Sequence, residues 1–222
     1  MKRLLDVLLS GLALLVLSPL LIPIVIALRL TGEGEIFYGQ DRVGKGGNIF
    51  KLLKFATMLK DSPNLGTGLL TTKGDPRVLP MGRILRKTKI NELPQLINIF
   101  LGDMSIIGPR PQTKNHVDLF DEEVRREIYK VRPGLSGIGS IVFRDEETIL
   151  THSPKGYQRC FAEDITPYKG ALELWYIQHQ SIGLDLLLIL LTIGAVLLPD
   201  SRLHFKLLKT LPEPPAALTG FI

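Results

Sequence analysis

The 222-residue chain holds one cysteine, Cys160, and one tryptophan, Trp175. A lone cysteine excludes an intrachain disulfide and any cysteine-cluster metal site, and it fits a reduced compartment. The four histidines (His116, His152, His179 and His204) are widely spaced and show no zinc-ligand pattern, so they read as surface or packing residues. Acidic residues are in the minority, 22 against 27 lysines and arginines, for a net charge of +5. That balance suits an anionic partner: lipid, nucleotide phosphate or nucleic acid. Nucleic acid is set aside, because no groove-reading helix and no basic strand interleaved with aromatics is present. Gly44-Lys45-Gly46-Gly47 lacks the Gly-Lys-Ser/Thr of a phosphate-binding P-loop. No internal repeat is visible.

What the chain has instead is a long apolar run, residues 7–28, with Ser18-Pro19 at its middle and Pro23 soon after. About 20 apolar residues cross about 30 Å of hydrocarbon, so the run is long enough to span a bilayer. Proline removes a backbone donor and clashes with the carbonyl four residues back, so the helix is expected to bend or break there. Lys2 and Arg3 precede the run; Arg29, Arg42 and Lys45 follow it. Lysine and arginine favour the cytoplasmic side. A segment positive at both ends and broken in its middle can enter the membrane and leave by the same face. From the run alone, a spanning helix with a proline kink is the commoner reading. A secretory signal peptide fits poorly, because the stretch exceeds the usual h-region and meets Arg29 without a small-residue cleavage site.

Residues 36–42 and 48–55 read as two strands around the glycine turn, a β-hairpin. Residues 58–72 form a polar, glycine-containing loop. The segment 77–89 is basic, and Arg83, Arg86 and Lys87 share a short helix that either faces an anion or forms a solvated basic face. Leu93, Leu96, Ile97 and Phe100 recur at helical spacing up to Gly102, with Asn91 at the N-cap position. Gly108-Pro109-Arg110-Pro111 is a stiff loop that pins an arginine between two prolines. Residues 118–130 read as a further helix, with Phe120, Val124 and Ile128 inward and Asp121–Arg125 and Glu122–Arg126 as exposed pairs. Residues 156–175 mix polar and aromatic side chains without a clear period. The apolar run 186–198, ending at Pro199, is too short to span a membrane and fits an interfacial or a buried helix. A basic-amphipathic stretch follows, able to touch anionic lipid. The tail ends in Leu211-Pro212-Glu213-Pro214-Pro215, which is expected to be poorly ordered.

The chemistry concentrates in residues 77–111. Helix N-termini and arginine forks favour phosphate oxygens. A carboxylate among such cations commonly holds a divalent metal or attacks phosphorus. Glu92 is that carboxylate and Asp103 a second one. Together they indicate phosphate chemistry at a membrane surface.

Six motifs then occur in series: Lys54-Phe55-Ala56-Thr57-Met58, Asp75-Pro76-Arg77, Asn91-Glu92-Leu93-Pro94-Gln95-Leu96, Gly102-Asp103-Met104-Ser105, Gly108-Pro109-Arg110-Pro111 and Arg132-Pro133-Gly134. In this order they resemble the bacterial sugar transferase family, the monotopic phosphoglycosyl transferases, over nearly the whole chain. The resemblance implies an N-terminal re-entrant helix broken at a Ser-Pro, matching Ser18-Pro19, and so reverses the preference for a spanning helix. It implies an α+β, mainly helical fold: membrane helix 1–35, a cytosolic catalytic domain 36–180 with a short hairpin, an interfacial amphipathic helix 181–199 and a tail 200–222. It implies a monotopic enzyme of the bacterial cytoplasmic membrane with its active domain on the cytoplasmic face. The reaction implied is transfer of a phosphosugar from a nucleoside diphosphate sugar, with uridine the expected base, to polyprenyl (undecaprenyl) phosphate. Nucleoside monophosphate is released, and the product starts membrane glycan assembly.

In the family an Asp-Glu pair stands where this chain has Asn91-Glu92; the aspartate attacks the β-phosphate and the glutamate helps bind Mg2+. By resemblance Glu92 keeps the metal role and Arg110 is a phosphate clamp. Lys54, Arg77, Arg83, Arg86, Lys87 and Asp103 complete the candidate phosphate- and substrate-binding set. A carboxamide is a poor nucleophile, so Asn91 departs from the covalent route. Four accounts stand: direct attack by polyprenyl phosphate in a ternary complex, substitution by another carboxylate such as Asp103, an impaired or engineered form that binds substrate without turnover, or a helix cap in a branch arranged differently. Ala56 replaces a common arginine, and Gly137-Ile138-Gly139-Ser140 replaces a common Gly-Trp-Ala-Gln, so sugar identity does not carry over.

Overall fold

A computed structural model describes residues 1–65, 75–198 and 201–222. The latter part of the loop at 58–72 and Pro199 lie outside the described residues. The protein is α+β and mainly helical, and its chain contacts group into two compact units that interleave along the sequence. The first comprises Met1, Arg3–Asp41 and Phe50–Gly102; the second comprises Lys2, Arg42–Ile49 and Asp103–Ile222.

Helix α1 (Lys2–Leu30) is the one described helix long and apolar enough to cross a membrane. At about 1.5 Å per residue its 29 residues would reach about 44 Å if straight. Leu12, Leu15, Val16 and Leu20 are exposed along its middle, whereas Ile24 and Leu28 are buried with Phe55 and Leu85. The expected break at Ser18-Pro19 is corrected in one respect: helical conformation runs through it without interruption. The local chemistry explains this. Pro19 has no N–H to offer the Leu15 carbonyl, and the Ser18 hydroxyl donates to that carbonyl instead, at 2.7 Å.

Strands β1 (Phe37–Val43) and β2 (Ile49–Phe55) form the expected two-stranded sheet, within a residue of the limits read from the sequence. Gly46 and Gly47 both have positive φ in the turn between them. Helix α2 (Pro80–Lys87) lies against the Thr57 backbone, where a side chain on Gly82 would collide with the Thr57 carbonyl. Helix α3 (Gln95–Leu101) ends at Gly102, in the left-handed region at φ 108°. The Arg3 guanidinium donates to the Ile99 and Phe100 carbonyls at its C-terminus, so part of what the helix leaves unsatisfied is capped.

The buried face of α3 differs from the expected stripe. Gln95, Leu96, Asn98 and Ile99 are buried, while Phe100 is exposed. Asn98 turns inward because its amide acts as a strand edge: Oδ1 accepts from Leu53 N and Nδ2 donates to Lys51 O, each at 2.9 Å.

In the second unit, β3 (Ser105–Ile107) pairs in parallel with a later strand, β4 (Gly134–Ser136). Bare backbone makes the pairing possible, since side chains at Gly108 or Gly134 would meet the facing main chain. The helix expected over 118–130 is shorter, α5 (Glu122–Ile128), and a separate short helix, α4 (Lys114–Val117), precedes it. The exposed pairs also differ from expectation. Arg125 reaches Asp118 at 3.9 Å, and Glu127 receives Lys130 at 2.6 Å.

Short helices α6 (Ile138–Val142), α7 (Glu146–His152) and α8 (Tyr157–Cys160) lead to a π-helical turn, Phe161–Ile165, and then to α9 (Thr166–His179). The π-turn shifts the helical phase, which is why no single period runs through 156–175. Helix α10 (Ile182–Leu197) starts at Ser181, whose Oγ accepts from Leu184 N, and buries Leu188 and Leu191. Its Leu186, Leu190, Ile193 and Leu197 are exposed. After α11 (Leu203–Leu207), the tail is packed rather than loose. Leu208, Leu218 and Ile222 join the main core, and the Pro212 carbonyl accepts from Tyr168 OH at 2.9 Å.

Candidate active site

In the first unit, two residues beyond α2, stands a lysine in a backbone conformation that side chains rarely adopt. Lys89 has φ 60°, the one non-glycine residue with positive φ among those described. Its turn redirects the chain into a short 3-10 helix, Ile90–Glu92, that carries the two central candidates. Asn91 therefore does not cap α3. It is buried, and its Oδ1 has no hydrogen-bond partner. Glu92 is partly exposed, and Lys54 Nζ stands 3.3 Å from its Oε1. Strand β2 supplies Lys54 and the 3-10 turn supplies Glu92, so two separate motifs meet in one ion pair.

Arg83, Arg86 and Lys87 occupy positions i, i+3 and i+4 of α2 and so share one side of it, with Arg83 and Lys87 exposed. Arg77 is placed differently. It is buried, with Nε and Nη2 on Asp75 (2.9 and 2.6 Å) and Nη1 on the Ser62 and Leu65 carbonyls (2.7 Å each). Such a fork braces the loop around it. Ala56 is buried and lines an apolar cavity of about 270 Å3 with Leu28, Met58, Leu79 and Met81. Gln95, one turn after Asn91, was not singled out from the sequence; it is buried, and its Nε2 has no partner.

Asp103 and Arg110 belong to the second unit. Asp103 is exposed; Arg110 is half-buried in the segment after β3. That segment is fastened to the Arg132-Pro133-Gly134 motif, with Gly134 N donating to Pro109 O at 2.8 Å and Gly108 N to Ser136 O at 3.0 Å. On its other side Arg110 N donates to Glu173 Oε1 at 3.4 Å. Glu173 is buried, and desolvation pushes its carboxyl up to about 7. It was missed because it is a single acid in an aperiodic stretch. The available signal was a carboxylate set among Leu172, Leu174, Trp175 and Tyr176.

Residues 1–199 match the sequence family described as bacterial sugar transferase. The chain belongs to that family. A UDP-N-acetylgalactosamine-undecaprenyl-phosphate N-acetylgalactosaminephosphotransferase of Aeromonas hydrophila is 36% identical over 198 residues, covering 88% of this chain and 43% of the relative. The exopolysaccharide production protein ExoY of Sinorhizobium fredii is 36% identical over 212 residues, 89% of this chain and 85% of its own. A UDP-glucose:undecaprenyl-phosphate glucose-1-phosphate transferase of Caulobacter vibrioides is 34% identical, covering 90% of this chain and 71% of the relative. The chain thus spans less than half of the Aeromonas relative and most of the other two.

Proposed function

We propose that this sugar transferase moves a phosphosugar from a UDP-sugar to undecaprenyl phosphate at the cytoplasmic face of the membrane, releasing UMP. The observation that carries the reading is the Lys54–Glu92 pair beside the unpartnered Asn91 Oδ1, on a turn that directly follows the basic side of α2. The activities for which the Aeromonas and Caulobacter relatives are named support the donor and acceptor classes.

The transfer joins two anions. An oxygen of the polyprenyl phosphate bonds to the β-phosphorus, and the bridging P–O bond breaks with its electrons leaving on UMP. Cations must offset the charge that gathers, and Lys54, Arg83, Arg86 and Lys87 of the first unit are assigned to that work; Arg110 keeps, by resemblance, the role of a phosphate clamp. Arg77 is assigned to bracing. Mg2+ typically takes one or two carboxylates and completes its shell with water and substrate phosphates. The Glu92 carboxylate and the orphaned Asn91 oxygen fit that donor set, and no cluster of three His, Cys, Asp or Glu side chains gathers among the described residues. When bound, the ion supplies charge neutralisation on the diphosphate.

Asn91 offers no carboxylate to form a phosphoenzyme, so we read the transfer as direct attack in a ternary complex. The same residue motivates a second reading, substrate binding without turnover. UMP release by wild type and Asn91→Asp, measured side by side against a panel of UDP-sugars, separates them. Intersecting initial-rate lines for wild type support direct transfer; tight binding with no release supports the second reading. No release and no binding by either protein sinks both.

A re-entrant α1 is supported by where its two ends touch. Arg3 caps α3 and Leu28 packs with Phe55 and Leu85, all in the same unit, although a straight helix would separate these residues by about 38 Å. The exposed leucines of α10, with Leu203, Leu207 and Lys206 on α11, would seat on anionic lipid. Cysteines placed at 2 and 35 should label from the same side; labelling from opposite sides would exclude the re-entrant form.

A further inference from the structure

The segment Pro109-Arg110-Pro111 contains three residues and one backbone donor, because neither proline carries an N–H. Two of its carbonyls are fastened as well: Pro109 O takes Gly134 N, and Pro111 O takes Arg42 Nη1 at 3.2 Å. The single donor, Arg110 N, goes to Glu173 Oε1. Pro111 already holds Arg110 near extended backbone, so the partner of that N–H adds the main-chain tie that fixes the residue further.

Glu173 is an expensive choice of partner. It is buried, its Oε2 has no hydrogen-bond partner, and the nearest lysine is committed elsewhere, with Lys169 Nζ on Glu146 Oε2 at 2.5 Å. Helix α6 makes room for it by omission, since any side chain at Gly139 would collide with Oε1. A glutamine would accept the same bond without bringing a charge inside. The carboxylate makes the stronger, charge-assisted bond only when ionised.

We propose that Glu173 is a positioning residue: its buried carboxylate holds the Arg110 backbone, and so fixes how the Arg110 guanidinium is presented to a substrate phosphate. This rests on the reading of Arg110 as a phosphate clamp. Protonation weakens the hold, so the presentation of Arg110 follows pH around neutrality. The groups that act on the Glu173 charge are Lys169 on α9 and Arg110 on the loop; α6 contributes no charge. Tyr176 OH, on the next turn of α9, senses that charge and is itself held up by burial and Asp185. His116, packed on Phe161, is held down by burial and by Arg42 and Lys169.

The test compares wild type with Glu173→Gln, which keeps the acceptor and removes the charge. Two readouts are taken on the full chain in lipid nanodiscs between pH 6 and 8.5. Hydrogen exchange at the Arg110 amide, corrected for intrinsic rate, should slow several-fold in wild type as pH rises through about 7. It should stay flat in the variant. In UMP release, KM for the UDP-sugar should fall over the same range in wild type only, with kcat moving less. Identical exchange and identical KM profiles in the two proteins overturn the proposal. If neither wild type nor Asn91→Asp releases UMP, the transferase reading fails while the exchange readout still decides whether Glu173 holds the loop.

Discussion

Two of the ion pairs in the first unit are made to opposite specifications. Asp75–Arg77 is closed: both side chains are buried, and the guanidinium also serves two backbone carbonyls. Lys54–Glu92 is open: the two charges stand 3.3 Å apart, and each side chain keeps about a fifth of its surface exposed, 20% and 22%. Geometry separates a pair that builds from a pair that can exchange partners. Short bonds inside the protein hold the Arg77 guanidinium in place, whereas the longer Lys54–Glu92 contact lies where solvent and a ligand can reach it. Both pairs sit in motifs of similar look, so residue type alone does not tell them apart.

The contrast can be broken most sharply at Glu92. Glu92→Gln should lower UMP release by roughly 1000-fold or more, about 4 kcal/mol of transition-state stabilisation, while the thermal midpoint moves little. A variant that retains most of the activity would mean the open pair is structural too. Arg77→Ala should do the reverse. Stripping a buried carboxylate of its partner is expected to lower the thermal midpoint on the order of 10 °C. Unchanged melting would show that the closed pair is not a brace.

Glu173 extends the contrast to a carboxylate whose nearby lysine is taken. Its carboxyl is raised from 4.5 to about 7, so the folded state keeps a proton that the unfolded state releases. The stabilisation from that proton is complete below about pH 4.5 and fades as pH rises to about 7, a change of about 3 kcal/mol. Glu173→Gln has no such proton to lose. Its melting temperature should exceed that of wild type at pH 8, with the gap closing by pH 5; a gap that ignores pH contradicts the assignment. The smallest effect is expected at Lys89, whose positive φ precedes the open pair. Lys89→Gly should stabilise by about 0.5–1 kcal/mol in denaturant titration, because glycine accepts that conformation without strain.

Where the sequence was legible, the signal was local. The hairpin follows from strand-forming residues around a glycine turn, and the apolar helix from its length. The order of short motifs singled out Glu92 and Lys54, two residues that the fold brings into one ion pair. What stayed hidden depends on partners distant in sequence. Strands β3 and β4 are three residues each, too short for periodicity, and their pairing depends on glycines that make no pattern. Asn98 reads as a polar interruption of an apolar stripe until β2 is placed beside it. Arg77 looks like a phosphate ligand until Ser62 and Leu65 turn their carbonyls to it. The segment 211–215 looked unstructured because three of its five residues are proline, while the side chains that dock the tail most deeply, Leu208, Leu218 and Ile222, lie outside it.

The π-turn at Phe161–Ile165 holds a different kind of information. Thr166 Oγ1 donates to the Phe161 carbonyl across it at 2.7 Å, so the extra residue is stitched in place. Each helical residue rotates the chain by about 100°. Lys169, Glu173 and Tyr176 therefore owe their common heading to one surplus residue several positions upstream. Removing any single residue of that turn would leave every one of those side chains chemically intact and aimed at the wrong neighbours. For the loop that carries Arg110, the length of this segment is as much a determinant as the identity of Glu173.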